Sequence, residues 1–170
     1  LQDSPYGIIA HMGTIIAVDI GGTHMRAASY APDQIKPINL KRIPTQATEP
    51  GGLDRLLQVI KDVWPKDESV EAIGLGSPGP LDSHSGYLLA PPNNPEWHNF
   101  PLVKNVSDHF GVRAYLDNDA NLAGLAEYRF GAGQGHHDVL YITVSTGIGG
   151  GVIIADRLLQ GFHGLAAELG

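Results

Sequence analysis

An α/β or mixed layered domain is the fold class this 170-residue sequence predicts, and three observations predict it. A run of strand formers, Ile15 to Tyr30, is cut by Asp19-Ile20-Gly21-Gly22-Thr23 and then resumes. A single amphipathic helix pattern follows at Gly51 to Trp64. A second strand running into glycines occupies Val139 to Ala155. Strand, strand, strand, helix, strand is the opening order of a layered domain in which helices cover a sheet.

Taken in order, Ile15 to Val18 and Ala27 to Tyr30 flank the first glycines and predict a β-hairpin with its tip at Gly21-Gly22-Thr23. Glycines permit close approach, so tip amides can face an anion such as a phosphate. Asp19 is placed to hold Mg²⁺ through water, because that ion keeps several waters and takes only one or two carboxylates. Thr23 adds a hydroxyl. On these residues alone an ordinary Gly-Gly turn with an incidental Asp is an equal reading. A P-loop is excluded, since Gly-x-x-x-x-Gly-Lys-Ser/Thr is absent.

A third strand is expected near Ile38 to Ile43. Leu53, Leu56, Leu57, Ile60, Val63 and Trp64 then recur at 3/4 spacing along one helix face, which Pro65 ends. Val70 to Leu75 reads as a buried strand entering the Gly76-Ser77-Pro78-Gly79-Pro80 loop. Asp82 to Phe100 reads as a long loop, functional rather than disordered because it carries Trp97 and apolar ends. Pro101 to Phe110 predicts a short helix capped by Gly111, and Val112 to Leu116 a strand. Another helix follows from Leu122 to Phe130. Val139 to Val144 ends in Ser145 to Gly151, and Val152 to Ala155 completes a second glycine-rich hairpin.

Composition narrows the classes. Hydrophobic residues at 42% and charged residues at 17% predict a folded globular chain. A formal net charge of −7, with no cluster of Lys and Arg, argues against a nucleic-acid surface. With no cysteine, a disulfide scaffold or Cys-ligated metal within these residues is excluded, which is compatible with a reducing cytosol. No apolar run approaches the ~20 residues of a membrane helix, and LQDSPYGIIAHM makes a poor signal peptide. Residues 1–13 read as linker or disordered N-terminus.

Asp119 falls where a strand ends and a helix begins, the place at which α/β folds put ligand-handling groups. A carboxylate there can accept a hydroxyl proton, the part phosphoryl transfer asks of its base. Helix capping by Asn118 or Asp119 is the competing reading, and for Asp117 capping is preferred. Ser145 to Gly151 can grip a second phosphate or form a plain bend. Glu168 suits a sugar hydroxyl or a solvated helix face equally, and the histidines show no metal-ligand spacing.

Asp19 to Thr23 with Arg26, Gly76 to Pro80, Pro92-Asn93 with Trp97, Asn118 to Asn121, Thr146 to Gly151 and Ala167 to Gly170 stand in an order and spacing that resembles the ROK family of sugar kinases and related repressors. The resemblance spans residues 14 to 170. It implies a ribonuclease-H-like, actin-like fold of two lobes around a cleft, with 14–117 as the N-terminal lobe and 118–170 as the start of an incomplete second lobe. It further implies ATP and Mg²⁺ as cofactors, a hexose as substrate, and a homodimer as the full-length assembly, without nucleic-acid or membrane partners.

By motif, Asp19, Gly21, Gly22 and Thr23 resemble one phosphate-binding hairpin, and Thr146, Gly147, Gly149 and Gly150 the other. Asp119 resembles the general base, and Gly79, Asn93, Asn118 and Glu168 the sugar pocket. His24 stands where the family usually has Lys or Asn after Gly-Gly-Thr, and Asn94 where Leu is common. The family continues past Glu-x-Gly into His and a structural zinc site, so no zinc ligand is assigned in this chain. The chain is therefore expected to be a fragment of a glucokinase-like kinase and inactive alone. The rival is a sugar-sensing transcriptional regulator, disfavoured because only about a dozen residues precede the first strand and a helix-turn-helix needs ~20 or more.

Overall fold

The computed structural model describes residues 13–46, 51–91, 95–144, 148–161 and 166. Its elements in chain order are β1 (Thr14–Ile20), β2 (His24–Tyr30), β3 (Asn39–Pro44), α1 (Gly52–Asp62), β4 (Val70–Ser77), β5 (Leu81–Asp82), β6 (Tyr87–Leu88), a 3-10 turn (Pro95–Trp97), α2 (Leu102–Phe110), β7 (Arg113–Asn118), α3 (Asp119–Phe130), β8 (Val139–Val144), β9 (Ile148–Ile154) and β10 (Arg157–Leu158).

A five-stranded sheet in the order β3-β2-β1-β4-β7 forms the first half. β1, β2 and β3 are antiparallel neighbours, whereas β1, β4 and β7 run parallel. Along β1 the residues alternate, with Thr14, Ile16, Val18 and Ile20 buried under the helices and Ile15, Ala17 and Asp19 turned to the opposite face. This period of two is what sends Asp19 away from the core.

The core lies between the sheet and α1 and α2. Leu56, Val59 and Ile60 from α1 and Val63 just after it meet Leu102 and Val106 from α2 over Ile16, Ile73 and Leu75, all fully or almost fully buried. Each such side chain contributes about 1.5–3 kcal/mol on burial. Trp64 and Phe110 stack at 4.8 Å where the two helices end, holding them on one face of the sheet. Gly111 closes α2 at φ 69°, the left-handed value that glycine takes without a Cβ penalty.

The segment expected to be a long loop is partly structured. β5 and β6 form a small antiparallel hairpin, and Phe100 bridges back to Leu88. Trp97 is buried, stacks on Phe100 at 5.7 Å, and lies beside the start of α1, where Glu96 accepts the Gly52 N–H at 3.2 Å. Hydrogen bonds to distant residues order this stretch, and local propensity does not reveal them.

The second half is a three-stranded antiparallel sheet, β10-β9-β8, with α3 across one face. Leu140, Ile142, Val144, Ile148 and Ile154 remain exposed. The second glycine-rich segment differs from expectation: Gly149, Gly150 and Gly151 are strand residues of β9, paired with Thr143, Ile142 and Tyr141. A Cβ on Gly151 would stand 3.0 Å from the Ala120 carbonyl and 3.3 Å from Gly124 Cα. Close seating of α3 on β9 thus explains that glycine. None of the helices among the described residues is long and apolar enough to cross a membrane.

Candidate functional site

The ends of β1, β4 and β7 converge on the start of α3. In register, Arg26 pairs with Asp19, Asp19 with Gly76, and Gly76 with Asp117, which makes one row across four strands on the face opposite α1 and α2. Gly76 keeps this row low between two carboxylates, and Leu122 of α3 approaches it, 3.0 Å from where a Cβ would stand.

Asp19 lies within β1 rather than in the turn. Arg26 Nη1 donates to Asp19 Oδ2 at 2.6 Å, an opposite-charge pair directly across the hairpin. Both side chains are nearly half exposed, so solvent screens the pair. Arg26 carries a part that pattern alone did not reveal, although a hairpin tip between the two residues already puts position 26 opposite position 19.

At the tip, the Gly21 N–H donates to the His24 carbonyl at 3.0 Å and closes the hairpin. That amide is therefore committed within the hairpin. Thr45, fully buried, clamps the tip from the end of β3. Its hydroxyl donates to the Gly21 carbonyl at 2.5 Å and its N–H to the Thr23 carbonyl at 2.9 Å. Arg55 of α1 donates in turn to the Thr45 carbonyl. Arg42 and His24 are 3.0 Å apart beside the hairpin.

Asn118 is the N-cap of α3, its Oδ1 accepting the Ala120 N–H at 2.9 Å and the Asn121 N–H at 3.3 Å. Its Oδ1 is committed, so what it can offer a ligand is its amide NH₂. Asp117, expected to cap, does not. It accepts instead from the Asn118 N–H at 2.7 Å, from Asn121 Nδ2 at 3.1 Å and from Gln160 Nε2 at 3.1 Å. Capping went to the neighbour because Asn118 has the extended backbone, φ −65° and ψ 138°, that a cap requires.

Asp119 opens α3. Its side chain reaches solvent, yet it is set low against neighbouring atoms, and this partial desolvation pushes its carboxyl pKa above the ordinary value of 3.8. The Ala120 N–H, donating to Asp119 Oδ1 at 2.8 Å, pulls the other way, and the Asp19 carboxylate adds a further upward push. The two carboxylates thus act on one another through their charge, and Asp19 has Arg26 as counter-charge.

Gly79 lies in the loop after β4, next to the cis Gly79-Pro80 bond. Asn93, Thr146, Gly147 and Glu168 fall outside the described residues. Among the described residues no group of three or more His, Asp or Glu could hold a metal ion. A Mg²⁺ ion needs only one or two carboxylates besides water and phosphate, and Asp19, nearly half exposed beside Arg26, is one such carboxylate. The zinc implied by the resemblance has no ligand set among the described residues.

Parallel strands feeding a helix N-terminus at a carboxylate corner, with an antiparallel hairpin at the sheet's start, define an actin-like, ribonuclease-H-like lobe, the fold that ROK sugar kinases share. The chain matches the ROK family over residues 15–170 and belongs to it. It is 37% identical over 158 residues to a glucokinase of Thermotoga maritima, covering 92% of this chain and 49% of that one. A solved ROK family glucokinase of Streptomyces griseus, in complex with glucose and AMPPNP, superposes with a TM-score of 0.81 at 39% identity, over 93% of this chain and 50% of that one. A putative xylose repressor of Caldicellulosiruptor is 36% identical over 115 residues, 68% of this chain and 29% of the repressor. The chain spans about half the length of the curated glucokinases it matches.

Proposed function

We propose that the whole protein is a glucokinase-like hexose kinase, transferring the γ-phosphoryl group of ATP to a sugar hydroxyl. The observation that carries this reading is Asp119, a carboxylate of raised pKa at the head of α3, set against Asp19 at the end of β1. In the reaction, the sugar oxygen forms a bond to the γ-phosphorus as the bond from that phosphorus to the bridging oxygen breaks. ADP leaves, and the hydroxyl proton passes to Asp119. The transition state is loose, so Asp119 acts mainly by orienting the oxygen and accepting its proton late.

The Gly22 and Thr23 amides take one phosphate group, and the hairpin end around Thr146, Gly147, Gly149 and Gly150 takes another. Asp19 would hold Mg²⁺ in competition with Arg26, and that ion would neutralise phosphate charge. Gly79, Asn93, the Asn118 amide and Glu168 contact the sugar. The lobes divide between residues 117 and 118, and the full-length protein pairs as a homodimer.

The test is sugar-dependent ADP formation by the full-length protein against glucose, fructose, mannose, N-acetylglucosamine and N-acetylmannosamine. Turnover with at least one sugar is expected, and Asp119→Asn should lower kcat by orders of magnitude while leaving sugar binding largely in place. Equal loss of both would make Asp119 a binding residue. The purified 170-residue chain is expected to be inactive, and robust turnover by it would refute that expectation. A regulator is the second reading, favoured by the identity to the xylose repressor. Sugar-dependent DNA binding without turnover would select it.

A further inference from the structure

The Asp117 side chain is a junction of three segments. Oδ1 accepts both the Asn118 N–H at 2.7 Å and the Asn121 amide at 3.1 Å, and Oδ2 accepts Gln160 Nε2 at 3.1 Å. Asn118 leads directly into Asp119, and Asn121, only 3% exposed, stands in the first turn of α3. Gln160 follows β10, and its carbonyl accepts the Ala166 N–H at 3.1 Å.

A carboxylate suits this position because its two oxygens offer about four acceptor sites and no donor, and all three partners are N–H groups. An amide at 117 could serve the first two donors through its oxygen but would turn an NH₂ toward Gln160. Helix capping does not need Asp117, since Asn118 performs it. The row formed by Asp19, Gly76 and Asp117 also fixes which sheet face the carboxylate occupies, the face on which α3 begins.

We propose that Asp117 is a positioning residue of the sugar side of the site. Resting on the hexose-kinase reading, it holds the Asn118–Asp119 corner against Gln160, which follows β10, so that the Asn118 amide and Asp119 meet the sugar in one fixed relation. It touches neither sugar nor nucleotide itself.

The experiment compares Asp117→Ala, Asp117→Asn, Gln160→Ala and the Asp117→Ala/Gln160→Ala double variant in the full-length protein. Asp117→Ala should raise the sugar KM about tenfold or more and lower kcat, with the ATP KM within about twofold of wild type. Asp117→Asn, which keeps an oxygen for Asn118 and Asn121, should recover most of kcat while the sugar KM stays partly raised. The double variant should be no worse than Asp117→Ala alone. Unchanged sugar kinetics in Asp117→Ala, or equal increases in both KM values, would overturn the proposal. Should the wild-type protein turn over no sugar at all, the kinase reading fails. Amide hydrogen exchange then decides for Asp117 by itself. Protection lost at Ala120 and Asn121 with β1 and β2 unaffected supports the junction, and unchanged protection at those amides refutes it.

Discussion

Asp19, next to the end of β1, and Asp119, at the head of α3, stand a hundred residues apart in sequence, yet the charge of the first helps to raise the pKa of the second. Burial is the larger cause and the Ala120 N–H opposes both. Like charges held together cost stability, and sites built for chemistry tolerate that cost.

Replacing Asp19 by Asn removes one of those charges. The charged form of Asp119 then becomes easier to reach, so its pKa falls and the acid limb of the pH–rate profile moves to lower pH. Carboxyl NMR titration of Asp119 in the Asp19→Asn protein measures this directly, and an unmoved titration would show that the two groups do not interact. The sign for stability follows too. A carboxyl whose folded pKa is raised contributes its stabilisation below its unfolded value and loses it as pH rises through the folded one. Asp119→Asn should therefore raise Tm slightly at pH 7 and not at pH 3.

Gly151 is held to glycine by α3. Alanine there would press its methyl against the Ala120 carbonyl and the α3 backbone, both of which are too rigid to yield. We expect Gly151→Ala to destabilise by about 1–3 kcal/mol, read as a lower urea midpoint at unchanged m. A neutral result would mean that α3 moves freely on β9.

Thr45→Val keeps the volume and the backbone bonds to Thr23 and Arg55 but deletes the hydroxyl bond to Gly21. The loss should be about 0.5–1.5 kcal/mol in stability. Its functional signature should be a raised ATP KM with an unchanged sugar KM, because the clamp acts on the first hairpin. An equal rise in both would assign Thr45 to general folding.

His137 and Asp156 tie the loop after α3 to the turn between β9 and β10, at 2.9 Å, with Tyr128 donating to Asp156 at 2.7 Å. Hydrogen bonding to Asp156 raises the His137 pKa above 6.5, and bonds from Tyr128 and then His137 lower that of Asp156 below 3.8. The histidine's contribution is complete below 6.5 and disappears as pH rises through its raised value. The aspartate's is present above 3.8 and disappears as pH falls through its lowered value. The tie is thus strongest between about 3.8 and 6.5. Wild type should lose Tm relative to His137→Gln on going from pH 6 to pH 8, and parallel curves would rule the tie out.

Much of this was legible in the chain. Runs of strand formers on either side of the Gly21-Gly22 pair predict β1 and its hairpin, the 3/4 spacing of Leu56, Ile60 and Val63 predicts α1, and Gly111 marks the end of α2. These are short-range rules in which neighbouring residues decide the outcome. Asp119 stood out because a strand-to-helix corner is itself visible as a change of period, and the order of six motifs pointed to the ROK family before any fold was known. What only the tertiary structure decided depends on partners far away in sequence. Gly151 turned out to be shaped by α3, the Gly21 amide was taken by its own hairpin, Asp117 became a junction with Gln160, and Asp119 was perturbed by Asp19. Each follows from strand register and helix docking. Register places residues a hundred positions apart in one row, and no local pattern contains that distance.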